Sequence, residues 1–91
     1  MNIILKYMKL IGDRVDAEYQ KCVDDEVARQ KYDKWAQQAD YPKFDDANVI
    51  SVKRGILNRL KQAELQHNTM DSNKQSAFME MDQFYRTISW Q

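Results

Sequence analysis

Two glycines (Gly12, Gly55) and one proline (Pro42) are all that this chain of 91 residues has for turning the backbone sharply. Glycine reaches positive φ without steric cost and proline presets a turn, so a β fold needs such residues at short, regular intervals. Their scarcity predicts an all-α fold. A chain of 10.9 kDa supports one hydrophobic core, so residues 1–91 read as a single helical domain. Apolar residues make up 43% of it, enough to build that core despite a mean hydropathy of -0.81. The expected architecture is a small bundle of three or four helices.

Periodicity gives the helices their places. Ile4, Met8, Ile11, Val15, Tyr19 and Cys22 recur at spacings of three and four, which puts them on one helical face. This signal runs through Gly12. Either the helix tolerates an interior glycine, at a cost of about 0.5 to 1 kcal/mol relative to alanine, or Gly12 ends a short first helix and Asp13 caps the next. From Asp13 to Ala39 nothing breaks the helix, and Lys21, Asp25, Arg29 and Asp33 alternate in charge at i,i+4. A long central helix over about 13–39 is therefore expected. Its apolar face moves, however: Val15, Tyr19, Cys22 and Val23 lie on one side, and Ala28, Tyr32, Trp35 and Ala39 lie about half a turn away. A straight rod cannot present both stripes to one core. Either it kinks near residues 24–26, where an Asp can cap a new helix, or its second half packs on another copy of the chain or on a foreign protein.

Pro42 disfavours helical geometry at Tyr41, so the long helix should stop at or before Asp40. Asp45 or Asp46 is then placed to cap a third helix, with Val49, Val52, Ile56, Leu60 and Ala63 as its stripe and Ile50 and Leu57 beside it. A short strand over Val49 to Val52 is the alternative, without an obvious partner. Ser72 and Gln75 fit an S-x-x-Q capping box that starts the last helix. Phe78, Met81, Phe84, Tyr85 and Ile88 follow as its buried side.

A single cysteine, Cys22, excludes an internal disulfide and makes a thiolate zinc site very hard to build, which points to a reducing, cytoplasmic setting. The apolar run Met1 to Ile11 contains Lys6 and Lys9 and is too short to span a bilayer, so no membrane association is expected. No phosphate loop, nucleophile elbow, H-E-x-x-H or EF-hand spacing occurs, and neither enzymatic activity nor a cofactor or metal is expected. His67 is the one histidine, with Glu64 and Asp71 at helical spacing around it. An N,O metal site or an oriented base needs a helix that continues through Asp71; a helix ending near His67 gives the simpler reading of an imidazole on the helix dipole. Asp24, Asp25 and Glu26 point in different directions on a helix and read as a cap or a solvated face.

The net charge of zero excludes a uniform polyelectrolyte but hides a polarised distribution. Residues 13–46 carry ten acids and six bases, whereas residues 47–66 carry four bases and one acid. Arg54, Asn58 and Lys61 lie opposite the apolar stripe of the third helix, with Lys53 and Arg59 to the sides. Such a face suits phosphates or a DNA groove. Tyr32, Trp35, Tyr41 and Phe44 form an aromatic group beside the proline loop, on the displaced stripe; aromatic residues are over-represented among interface hot spots, and the competing reading is that these rings close one end of the bundle core. Trp90, off the buried face of the last helix, is a second candidate contact. The expected function is a non-enzymatic protein-binding module, an adaptor or inhibitor that covers a surface of a larger protein or nucleoprotein complex; phage and mobile-element inhibitors of host machinery are of this kind. Its partner-binding residues would be Tyr32, Trp35, Tyr41 and Phe44. A nucleic-acid binder using the basic helix 47–66, and a self-assembling helical homo-oligomer, are the alternatives.

Overall fold

The computed structural model describes residues 2–89, which form a bundle of four helices: α1 (Ile3–Asp24), α2 (Glu26–Gln38), α3 (Val49–Gln66) and α4 (Ser72–Ser89). The all-α fold stands as the sequence predicts it. The helix expected over 13–39 is not one rod: of the two expected outcomes, the kink near residues 24–26 with an Asp capping a new helix is the one that forms. α1 continues through Gly12, where α4 packs close by: a Cβ on Gly12 would lie 3.3 Å from the Met81 Cε methyl. The chain then breaks at Asp25, which is extended (φ -133, ψ 114).

Both helix ends at this break are satisfied by side chains. The Asp25 carboxylate accepts from the Val27 backbone N–H at 3.0 Å and caps α2. Arg29 reaches back from α2 and donates to the Cys22 and Val23 carbonyls, each at 3.1 Å, which the end of α1 leaves without helical partners. The charge ladder that favours a continuous rod is thereby dismantled. Asp25 caps, Arg29 bonds carbonyls, Asp33 accepts from the Phe44 N–H at 2.7 Å, and Lys21 pairs with Glu18 at 3.9 Å. Each i,i+4 pair is worth only about 0.2 to 0.5 kcal/mol, less than a cap at about 1 kcal/mol. Replacing Asp25 by Ala is therefore expected to destabilise the protein by about 1 kcal/mol and to lower Tm by about 4 to 8 °C. Thermal unfolding followed by circular dichroism measures it; an unchanged Tm would mean that the break does not depend on the cap.

The break turns the displaced stripe inward. Tyr32 and Ala36 of α2 are fully buried together with Val15 and Cys22 of α1, Val52, Ile56 and Leu57 of α3, and Phe78, Met81 and Tyr85 of α4. One core thus takes both stripes, and no second copy or foreign protein is needed to cover α2. α3 is the most enclosed helix: none of residues 49–61 is exposed. It runs antiparallel to α4, as the Arg54–Asp82 (3.1 Å) and Lys74–Glu64 (3.6 Å) pairs show. Phe84, expected on the buried side of α4, is 53% exposed, with its ring edge-on to Tyr85 at 5.8 Å between centroids.

The remaining ends follow backbone rules. α2 ends at Gln38; Asp40 takes a left-handed conformation (φ 59) and the Tyr41 N–H returns to the Ala36 carbonyl at 2.7 Å, a Schellman closure. Asn68 (φ 59) closes α3 in the same way, with the Thr69 N–H on the Glu64 carbonyl. Asp45 does not cap α3: its carboxylate holds the Ala47 N–H in the turn before, and the cap position belongs to Asn48 without a side-chain bond. Val49 to Val52 is helical, not a strand. α4 is capped by Asp71, which accepts from the Lys74 N–H at 2.8 Å, one residue before the Ser72 of the expected capping box.

Candidate functional site

The aromatic group predicted to meet a partner faces inward. Tyr32 is 0% exposed, and its hydroxyl donates to the Pro42 carbonyl at 3.3 Å. It has no surface to offer. Trp35, Tyr41 and Phe44 are half-buried against the core. Trp35 stacks on Tyr41 with ring centroids 5.3 Å apart, and Phe44 packs on Tyr19 at 5.7 Å, with the Arg29 guanidinium 5.2 Å from the Phe44 centroid. These contacts, with the Asp33 bond to the Phe44 N–H, fasten the loop between α2 and α3 across the bundle. The group closes one end of the core. Trp90 lies outside the described residues.

The basic helix does not present a row of cations either. Lys53 pairs with Asp16 of α1 at 3.1 Å and lies 5.4 Å from the Tyr19 ring centroid. Arg54 pairs with Asp82, which also holds Arg86 at 2.9 Å. Asn58 donates to the Arg54 carbonyl at 2.9 Å. The face opposite the predicted stripe is thus turned toward α4, and of the five candidate residues Arg59 and Lys61 are the two that make no salt bridge or side-chain hydrogen bond among the described residues. They lie on different sides, Arg59 toward α1 and Lys61 toward α4.

His67, Glu64 and Asp71 do not converge. α3 ends at Gln66, so His67 is an exposed C-cap, Glu64 is held by Lys74 and the Thr69 hydroxyl, and Asp71 caps α4. Among the described residues no group of three or more His, Cys, Asp or Glu side chains is placed to hold a metal ion, and no helix is long and apolar enough to cross a membrane. Cys22 is 3% exposed; burial first, and the Glu18 carboxylate second, push its thiol pKa above the ordinary value. It stays protonated and packs as a small apolar group.

An open furrow runs along α1, walled by α3 and the start of α4 over most of its length and by α2 at its far end. It consists of three shallow hollows of about 300, 230 and 330 Å³ that share walls. Arg14 and Leu60 line the first and second, while Glu18, Cys22 and Arg59 line the second and third. At one end Tyr7, Leu10, Ile11, Leu60 and Phe78 make an apolar floor; at the other stand Val27 and Ala28 of α2. Leu10 is 56% exposed and Val27 59%. None of this set except Arg59 emerges from stripe analysis as a site residue. The sequence signal that could have found it is misfit: Leu10 is a large apolar residue lying off the Ile4–Cys22 stripe of its own helix.

Comparison of the chain with known protein families, with curated proteins and with solved structures finds no match.

Proposed function

We propose that this chain is a non-enzymatic protein-binding module that acts by covering a surface of a larger protein. The supporting observation is the α1–α3 furrow, whose apolar floor is open and whose two ends keep Leu10 and Val27 more than half exposed. Helical bundles recognise partners by seating elements in grooves of this kind, and apolar anchors at a groove supply most of the binding energy. The reading moves the contact away from the aromatic group, whose rings are engaged in holding the α2–α3 loop. It also departs from the basic-helix alternative, since Lys53 and Arg54 are neutralised by Asp16 and Asp82.

The test uses photo-crosslinking residues placed singly at exposed positions on several faces, Leu10, Val27, Gln62, Met79 and Phe84, in the full chain expressed in its native cells. The expected result is a discrete adduct with one protein from at least one face, and loss of that protein's activity when the purified chain is added to it. Absence of a discrete protein adduct from every face would overturn the reading.

A further inference from the structure

We infer that the α1–α3 furrow receives an acidic amphipathic helix of the partner protein. This rests on the binding-module reading and names the chemistry of the occupant. Charge carries the argument. The chain is neutral overall, yet the three hollows are lined by five bases and three acids. Every one of those acids is engaged within the molecule: Glu64 with Lys74 and Thr69, Glu18 with Lys21, and Asp25 with the Val27 N–H. Arg14, Arg59 and Lys31, by contrast, make no salt bridge or side-chain hydrogen bond among the described residues. The furrow therefore carries a residual positive charge along its middle, between an apolar floor at one end and Val27 at the other. Guanidinium groups match carboxylates in a fixed fork geometry, so Arg14 and Arg59 select acidic side chains flanked by apolar ones.

Shape selects the helix. At about 300, 230 and 330 Å³ the hollows are each near the lower limit of about 300 Å³ for a small-molecule site, whereas joined end to end they form a long, shallow track. Two neighbouring antiparallel helices present a groove that accepts the side-chain ridge of a third helix, and the fold has no sheet edge among its described residues to take an extended strand. From Leu10 to the end of α1 the track runs about 21 Å at 1.5 Å per residue, which corresponds to a partner helix of about fourteen residues. Its apolar anchors sit at the two ends and its acids sit centrally.

The probe is a display library of randomised helical peptides of that length, selected against the full chain. Peptides with apolar residues at helical spacing and Asp or Glu in the middle are expected to be enriched. Their affinity should fall at least tenfold on Arg14→Glu or Arg59→Glu and threefold or more on Arg59→Gln, and should be unchanged on Lys61→Glu, which lies on the α4 side. Arg14 and Arg59 make no salt bridge or side-chain hydrogen bond among the described residues, so the Tm of these variants checks that folding is intact. Enrichment of peptides without acids, indifference to both arginine reversals, or no enrichment at all would overturn the inference. A concentration-dependent dimer in light scattering that Leu10→Glu dissolves would make a second copy the occupant, and would overturn it too. If crosslinks capture a partner from another face while the peptides fail, this inference falls and the binding-module reading stands; if no face captures a protein, the reading itself falls.

Discussion

Gly55→Ala is expected to destabilise the protein by about 2 kcal/mol, although alanine is the better helix former. Gly55 sits in the middle of α3, and a Cβ there would collide with the Tyr32 hydroxyl and approach its Cζ at 3.2 Å. The ring has nowhere to go. Tyr32 is 0% exposed, its hydroxyl is bonded to the Pro42 carbonyl, and Trp35 packs beside it with centroids 6.0 Å apart. Overpacking of this kind costs about 1 to 3 kcal/mol or more, and the gain of about 1 kcal/mol in helix propensity offsets only part of it. At about 4 to 8 °C per kcal/mol, Tm should fall by about 8 to 16 °C.

Two companion variants make the cause visible. Tyr32→Phe removes the colliding atom at a cost of about 1 kcal/mol for the lost hydrogen bond, so Gly55→Ala combined with Tyr32→Phe should be more stable than Gly55→Ala alone. Gly12→Ala meets only the flexible end of Met81 at 3.3 Å and should leave stability unchanged or slightly raised. Chemical denaturation of the four proteins measures this. A Gly55→Ala protein as stable as the parent would show that the space beside Tyr32 is not filled.

The same pair explains how far the sequence could be read. Helix positions were legible because their signals are local: the α1 stripe, Pro42 after α2, and the Val52–Ile56–Leu60 spacing of α3 all act within a few residues. Caps were legible to within a residue or three, since Asp, Asn and Ser compete for the same backbone N–H groups and only geometry decides that Asp71 rather than Ser72 takes the Lys74 N–H. The choice between the two readings of the aromatic group, partner contact or closure of the core, was not legible. A wheel drawn through residues 13–39 assumes a straight axis, and the extended backbone at Asp25 re-aims everything after it, so Tyr32 points at Gly55 rather than outward. The face of α3 was misread for a related reason: periodicity identifies one packed stripe, but α3 is packed on three sides, and Lys53 and Arg54 are matched by acids 37 residues before and 28 residues after them. The furrow is likewise non-local, because Arg14 and Arg59 come together only when α1 and α3 pack. What the sequence does carry of it is Leu10, an apolar side chain that the core has no place for.

Alkaline conditions should unfold this bundle through two buried phenols. Burial, helped by Asp33, pushes the Tyr32 pKa up from the ordinary 10 to about 12, and burial, helped by Asp16, does the same for Tyr85. Both rings are at least 95% enclosed, with Tyr32 0% and Tyr85 5% exposed. The unfolded chain ionises each phenol near pH 10, while the folded chain resists until about pH 12. The stability linked to the neutral phenols is therefore fully present below pH 10 and is lost as pH rises through the interval to 12. A shift of two units corresponds to about 2.7 kcal/mol for each tyrosine, so the pair together removes about 5 kcal/mol. That is the lower end of the whole stability of a small domain. The Cys22 thiol, raised by burial, adds to the loss in the same direction. Helix content should be lost in one cooperative step near pH 12, together with the last part of the rise in phenolate absorption, the part that belongs to Tyr32 and Tyr85 among the five tyrosines. Tyr85→Phe is the diagnostic variant: at about pH 11.5 it should retain about 2 kcal/mol more of its neutral-pH stability than the parent does. A parent and a Tyr85→Phe protein that lose stability in parallel, or phenolate absorption that rises fully while the helices remain intact, would show that the phenols are not held neutral by the fold.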